Sequence, residues 1–212
     1  MSQPMNVNFG VYALADLDGQ GNWTHAAGHT GGSIDVAATG IDASQCASLT
    51  TNSGDDTWYQ RPWDASTLPD DVIEPGMWNK VTFKFQINTT LGAGSVQTSL
   101  AEGSTNTMWD FVVDNSTGAC SLVDRNGVQS CGSVSLDAPH TAEITTDENM
   151  LIIVKIDTVA VFSTGLAKVA SVDVFEMYFA DASVTQADAF YWDDITVYAR
   201  TTANVYKFFI GR

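Results

Sequence analysis

Alternating apolar and polar residues run along much of the chain. In segment 80–87, four apolar side chains fall on one face and four polar or charged ones on the other. Segment 172–180 repeats this pattern with Phe175, Met177 and Phe179. A period of two residues is the signature of a half-buried β-strand. We predict strands in these segments and also in 33–38, 46–51, 107–114, 119–124, 128–136, 149–157, 190–198 and 204–210.

Turn-forming clusters separate the predicted strands. Sequences such as TGG, NSGDD, LGAG and DRNG combine glycine with residues that favour tight turns. No stretch of ten or more residues shows the 3.6-residue period of an amphipathic helix. Many short strands at this spacing predict an all-β fold, a single antiparallel β-sandwich of the jelly-roll type.

One domain accounts for most of the chain. No linker rich in proline or serine divides the 212 residues, so we predict one jelly-roll domain over 1–199. Segment 200–212 is too apolar to lie free in water. We interpret it as either a further sheet strand or an arm that docks on a neighbouring subunit. The apolar contacts of such an assembly arm would come from Tyr206, Phe208, Phe209 and Ile210.

The charge of the chain is strongly negative. It has 25 acidic and 9 basic residues, a net charge of −16, and Arg61 is the only basic residue before Lys80. Such a surface repels phosphate backbones and anionic lipid, so we expect no nucleic acid and no membrane among its partners. No apolar run approaches the roughly 18 residues of a transmembrane helix, and the first residues do not resemble a signal peptide.

Three cysteines are too few for a disulfide scaffold. Cys120 and Cys131 flank the turn sequence DRNG. A turn centred on 125–126 would place them directly opposite each other, and one centred on 126–127 would place them diagonally on the same face. A three-residue loop would put them on opposite faces. The sequence therefore leaves open a disulfide and two packed thiols.

Segment 54–64, GDDTWYQRPWD, gathers aromatic and hydrogen-bonding side chains. A sugar site needs an exposed flat ring and polar groups for the hydroxyls. Strand alternation places Trp58 and Gln60 on one face and Tyr59 and Arg61 on the other, so the cluster cannot be one continuous strip. We predict that Trp58 or Trp63, with Gln60 or Arg61, contacts a glycan or a neighbouring subunit. The alternative is plain packing in the core.

The chain lacks the common catalytic motifs. It has no Gly-x-Ser-x-Gly elbow, no phosphate-binding loop and no zinc-ligand spacing. His140 follows a proline turn and has no nucleophile pattern beside it. Paired carboxylates for glycoside hydrolysis depend on a separation in space that the sequence does not state. We expect no enzymatic activity; a glycan-active hydrolase or lyase is a distant alternative.

Four motifs carry a resemblance to a known family. In their order along the chain they are DGQGNWT (18–24), GIDASQCASLTT (40–51), EPGMWNKVTFKFQI (74–87) and FYWDDITVY (190–198). Together they resemble the carbohydrate-binding-module type of galactose-binding-like jelly roll. The middle segment 109–136 and the sequence VFEMYFADAS at 174–183 are similar to versions found in bacteriophage tail, fibre and head-decoration proteins. Laminin-G and concanavalin-A-like sandwiches, which end in similar strands, are the alternative at the level of the fold.

We expect no required cofactor, and the resemblance adds a structural calcium ion as a candidate. By strand parity Asp193 shares a face with Tyr191, Ile195 and Val197, where a carboxylate needs a cation or several donors. In the resembling family an aspartate here often helps to hold calcium with oxygen ligands from the N-terminal strand. The candidates in this chain are Asp16 and Asp18. The alternatives are that Asp193 accepts from backbone amides or lies in water at the rim.

Two functions are consistent with these features. The first is a structural protein of the virion surface, a phage decoration, cement or fibre-type jelly roll that docks on capsid or other virion proteins or on copies of itself. The second is a soluble, extracellular, lectin-like module that recognises a cell-surface or environmental polysaccharide. The two roles can coexist, because a jelly roll on a particle surface can also hold host glycans.

Overall fold

The computed structural model describes residues 2–30, 32–51, 56–62, 77–88, 94–103, 106–169, 171–180 and 186–201. These residues form fifteen strands and two short 3-10 helices, Phe9–Val11 and Ile41–Ala43. The strands are β1 (Ser2–Val7), β2 (Thr24–Thr30), β3 (Gly32–Ala37), β4 (Cys46–Thr51), β5 (Thr57–Pro62), β6 (Met77–Ile87), β7 (Ser95–Glu102), β8 (Asn106–Asp114), β9 (Ala119–Asp124), β10 (Gly127–Ser133), β11 (His140–Thr146), β12 (Leu151–Ile156), β13 (Val159–Leu166), β14 (Val174–Ala180) and β15 (Gln186–Thr201).

The strands pair into two antiparallel sheets. The eight-stranded sheet has the order β13-β12-β11-β6-β15-β4-β3, and β1 also pairs with β15. The seven-stranded sheet has the order β10-β9-β8-β7-β14-β5-β2. The chain changes sheet at each step from β4 to β7, so these consecutive strands lie in different layers. This architecture confirms the predicted antiparallel β-sandwich.

Inward-facing side chains of the two sheets form one core. Phe83 and Phe85 of β6 and Phe190 of β15 come from the eight-stranded sheet, and Phe111 comes from β8 of the other sheet. The Phe85 ring stacks on Phe190 at 5.9 Å and meets Phe111 edge-on at 5.8 Å. Burying each ring contributes about 2 kcal/mol to the free energy of unfolding, and the contacts between rings hold the two sheets together.

The β9–β10 hairpin turns at residues 125–126, because Asp124 pairs with Gly127. This is the register that brings Cys120 and Cys131 opposite each other, although a bulge follows Ser130. Both cysteines are buried and unbonded, and burial raises their pKa to about 12 and about 11. Of the two alternatives that the sequence left open, a disulfide and two packed thiols, the structure has the packed thiols.

Among the described residues, no helix is long and apolar enough to cross a membrane. The strand predicted at 204–210 lies outside the described residues.

Candidate functional site

The outward face of the seven-stranded sheet carries the most distinctive set of side chains. In β5, Trp58 and Gln60 are partly exposed, while Tyr59 and Arg61 are buried. Strand alternation predicted this division. Trp58 and Gln60 therefore point away from the core and stand beside the outward residues of the neighbouring strand β14.

Strand register extends Trp58 into a row across the sheet. Trp58 pairs with Tyr178, Tyr178 with Gln97, Gln97 with Val112 and Val112 with Ser121. The Trp58 and Tyr178 rings meet edge-on at 6.1 Å. The Tyr178 hydroxyl donates a hydrogen bond to Asp56 Oδ2 at 2.9 Å, which fixes the ring at this end of the row.

A second, more polar row runs beside the first. Gln60 pairs with Glu176, Glu176 with Ser99 and Ser99 with Asp110. Gln60 Nε2 donates to Glu176 Oε1 at 2.7 Å, and Ser99 Oγ donates to Asp110 Oδ1 at 2.9 Å. The ammonium group of Lys168 forms an ion pair with Asp110 Oδ2. Gln60 is the partly exposed member of this row, whereas Ser99, Asp110 and Glu176 are buried.

The two carboxylates in this row differ in their electrostatic surroundings. Glu176 is only 3% exposed, and its burial, together with the negative charges of Asp110 and Asp173, raises its pKa to about 7. Hydrogen bonds from Gln60 and Trp58 oppose this increase. Asp110 instead has the cationic Lys168 beside it. Glu176 therefore changes its protonation near neutral pH.

The opposite end of the first row opens into a shallow trough. Its cavity of about 460 Å³ crosses strands β7 to β10. Five strand spacings separate β5 from β10, which corresponds to about 24 Å. The whole row is long enough for an extended ligand. The trough is lined by Ser95, Val112, Asp114, Ala119, Cys120, Ser121, Val128 and Ser130.

The structure separates the aromatic cluster predicted from the sequence. Tyr59 faces inward, and its hydroxyl donates to Asp16 Oδ1 at 2.6 Å. Arg61 is also buried, and its Nε donates to the carbonyl oxygen of Gly21 at 2.8 Å. Neither side chain shares the outward face with Trp58. The position of Trp63, like those of Tyr206, Phe208, Phe209 and Ile210, lies outside the described residues.

Asp193 does not lie on the apolar face that strand parity predicted. A bulge interrupts β15 between Asp193 and Thr196, and Asp194 takes a left-handed backbone with φ 49°. Because of the bulge, Trp192 and Ile195 both face the core, and the register partner of Asp193 is Lys84. The parity argument was wrong here because it assumed an unbroken strand.

The carboxylate of Asp193 is held by local donors. It is 5% exposed and accepts hydrogen bonds from Ser44 Oγ at 2.7 Å and from the Asp194 N–H at 2.8 Å. Its pKa is raised by burial, against the effect of these donors. Acceptance from a backbone amide is one of the alternatives that the sequence left open.

Asp16 and Asp18 belong to a different network. Asp16 accepts from Tyr59, and Asp18 Oδ1 accepts the N–H of His25 at 2.8 Å. Among the described residues, no three His, Cys, Asp or Glu side chains are grouped so that they could hold a metal ion. Calcium binding by the protein stays a prediction.

Sequence reasoning missed most of the outward face. Glu176 and Tyr178 lie in the same segment as the correctly predicted core residues Phe175, Met177 and Phe179, and alternation alone would have placed them outward. Nothing in the local sequence shows that Asp110 and Lys168, which are 58 residues apart, lie within contact distance.

Comparison with solved structures places this fold among sandwiches that include sugar-binding modules. A sialidase superimposes with a TM-score of 0.63 and 12% identity over 92% of this chain, which spans only 19% of that protein. The T. cruzi calreticulin globular domain gives a TM-score of 0.60 at 10% identity, covering 93% of this chain and 88% of that one. The Bacillus subtilis carbohydrate-binding module CBM66 gives 0.55 at 11%, covering 83% and 94%.

These likenesses confirm the predicted resemblance to carbohydrate-binding-module sandwiches at the level of the fold. Neither a scan against protein-family models nor a search of curated proteins found a match.

Proposed function

We propose that this protein binds glycans on the outward face of its seven-stranded sheet. The observation that carries the proposal is the aromatic edge of Trp58 and Tyr178, with the partly exposed amide of Gln60 on the same face. Aromatic rings pack against the apolar faces of sugar rings, and fixed polar groups hydrogen-bond the hydroxyls. The fold likeness to a carbohydrate-binding module supports this assignment.

The charge of the face favours a neutral glycan. Asp56, Asp110, Asp114 and Glu176 all line or adjoin the two rows, and Lys168 is already engaged with Asp110. Together with the net charge of −16, these carboxylates would repel uronic or sialic acid residues. We assign the face a binding role and no chemical step.

The outward face of the other sheet is less suited to a sugar. Its Lys80 and Lys155 both form ion pairs with Glu143, and Lys80 lies over the Tyr198 ring at 4.8 Å. The cavity beside Glu143 and Lys155 is only about 140 Å³. The seven-stranded sheet is the better candidate because its outward face has the Trp58–Tyr178 edge and a cavity of about 460 Å³.

Replacing Trp58 with alanine tests the proposal. We expect W58A to lose at least about tenfold in affinity for a neutral polysaccharide, equivalent to about 1.4 kcal/mol, because the stacking surface is removed. Affinity gels with a panel of neutral and acidic polysaccharides provide the measurement. Trp78→Ala is the matched control, since Trp78 is partly exposed on the other sheet. If W58A bound as the parent does, or if both variants lost affinity equally, this face would not be the glycan-binding site.

A virion-surface role is the second function that we propose. Its support is the resemblance of 109–136 and 174–183 to phage decoration and fibre proteins and the apolar character of 205–210. In this role the chain would dock on capsid proteins or on copies of itself, at the surface of a particle. Glycan binding on the seven-stranded sheet is compatible with it.

A further inference from the structure

A serine, a histidine and an aspartate come together at one end of the eight-stranded sheet. His140 begins β11, Asp157 lies in the β12–β13 turn, and Ser135 lies in the segment before β11. His140 Nε2 is 3.2 Å from Ser135 Oγ, and His140 Nδ1 is 2.7 Å from Asp157 Oδ2. The sequence showed no nucleophile beside His140, because the fold supplies both partners.

These contacts have the connectivity of a hydrolytic triad. A nucleophile within about 3.2 Å of a base, with the base oriented by a third group, is the arrangement that activates a serine hydroxyl. Such a triad is recognised by geometry and roles, whatever the order of its residues in the chain. We propose that Ser135, His140 and Asp157 form a nucleophilic site that hydrolyses small carboxylic esters.

Asp157 is held firmly in its orienting position. Its Oδ1 accepts the N–H of Thr141 at 2.8 Å, and its own N–H donates to the Thr141 carbonyl at 2.9 Å. Partial burial alone would raise the pKa of Asp157, but the hydrogen bonds from His140 and Thr141 keep it below its ordinary value. The ionised carboxylate requires the hydrogen on Nδ1, which leaves Nε2 as the base.

The turn that carries Asp157 is a tight two-residue hairpin connection. Asp157 and Thr158 both have positive φ, 50° and 72°, between Ile156 and Val159. Positive φ at both central residues is the pattern that two-residue hairpins favour, although it is unfavourable for a β-branched residue such as threonine. The turn returns the carboxylate to the start of β11.

The surroundings of Nε2 suit both protonation states of the ring. Nε2 also lies 3.0 Å from the carbonyl oxygen of Ser135. The neutral ring accepts from the Ser135 hydroxyl, and the protonated ring donates to that carbonyl. The His140 side chain is 10% exposed, that of Asp157 is 50% exposed, and Ser135 lies at the surface. An ester can therefore reach the hydroxyl.

The chemical steps need no cofactor or external oxidant. Ser135 Oγ bonds to the ester carbonyl carbon while its proton passes to His140 Nε2, and the ester C–O bond then breaks as the departing alcohol takes that proton. Water attacks the acyl-serine, Nε2 takes its proton and returns it to Ser135 Oγ, and the carboxylic acid leaves.

Covalent labelling tests the site. A fluorophosphonate probe should label the full-length protein on Ser135, as read by peptide mapping, and p-nitrophenyl acetate should be hydrolysed. Ser135→Ala should lose the label and reduce hydrolysis to the background rate. Ser133→Ala, which removes another exposed serine nearby, should behave as the parent does.

The variant Asp157→Asn separates a triad from a merely exposed serine. Asparagine tolerates the left-handed backbone and keeps an acceptor for Thr141, so the fold should persist. Replacing the orienting aspartate of an evolved triad in this way costs about 10⁴-fold, and we expect labelling here to slow by at least about tenfold. Absence of labelling, labelling at another residue, or equal rates for the parent and D157N would overturn the proposal.

Discussion

At the scale of single residues, Glu176 has the most unusual environment on the candidate face. It sits between Gln60 and Ser99 in the polar row, close to Asp110 and Asp173. Its burial raises the pKa from 4.5 to about 7. A carboxyl group that holds its proton more tightly in the folded state makes stability depend on pH.

The sign of this dependence follows from the direction of the shift. Between pH 4.5 and about 7, the folded protein binds more protons at Glu176 than the unfolded chain does. The group's favourable contribution is therefore complete below pH 4.5 and is lost as the pH rises through 7. We expect the parent to lose up to about 3 kcal/mol of unfolding free energy over this range relative to Glu176→Gln.

Urea unfolding at pH 4.5 and pH 8 measures this difference. Glu148→Gln, a change at an exposed turn, is the control and should follow the parent. If E176Q showed the same pH dependence as the parent, the carboxyl group of Glu176 would not be the one that titrates near neutrality.

Tryptophan residues show how far local patterns identify core positions. Trp78 lies in β6 and Trp109 lies in β8. Trp109 is fully buried, but Trp78 is partly exposed, because it shares the outward parity of Lys80 and Lys84 in β6. The alternation already visible in 80–87 would have placed Trp78 outward if it had been extended by two residues.

At the scale of elements, strands with unbroken apolar–polar alternation could be predicted from the sequence, and bulges that interrupt a strand could not. The predicted strands at 46–51, 107–114 and 119–124 agree with β4, β8 and β9 to within one residue. The bulge in β15 escaped prediction, because a residue such as Asp194 adopts left-handed backbone only when neighbouring strands require it. The segments of β1, β2, β7, β11 and β13 were also not among the predicted strands.

Gly118, between β8 and β9, lies where the backbone of another segment comes very close to it. Its φ is +70°, and a Cβ atom there would lie 2.3 Å from the carbonyl oxygen of Val134. Gly103 has a similar φ of +60° but open space around the same position. We expect Gly118→Ala to cost about 3 kcal/mol or more and Gly103→Ala only about 1 kcal/mol.

Chemical denaturation of the two glycine variants gives the comparison directly. The difference between them isolates the clash with Val134, since both replacements carry a similar backbone penalty. Equal losses would mean that the β8–β9 turn and the 134–136 segment move apart at little cost.

At the scale of the whole molecule, the segment 205–212 separates the two proposed functions. If it is an assembly arm, its apolar residues are covered in a multimer or on a partner shell. We expect the parent to sediment as a multimer and a chain ending at residue 204 to sediment as a monomer with the same β-type circular dichroism. A monomeric parent, or a truncated chain that still assembles, would contradict self-assembly through the arm.

Glycan binding should survive this truncation. Trp58, Tyr178 and the polar row all lie within the described sandwich, far along the chain from the removed residues. A truncated chain that binds polysaccharide as the parent does would show that the proposed face works independently of assembly.

The sequence by itself determined the class of fold and, within regular strands, which side chains point into the core and which point outward. Alternation is a local property, so it predicted the β-sandwich and the separation of Trp58 from Tyr59. Only the tertiary structure decided which strands are neighbours, because pairing depends on contacts between distant segments. It brought Glu176 beside Gln60, joined Asp110 to Lys168, and placed Ser135 and Asp157 against His140.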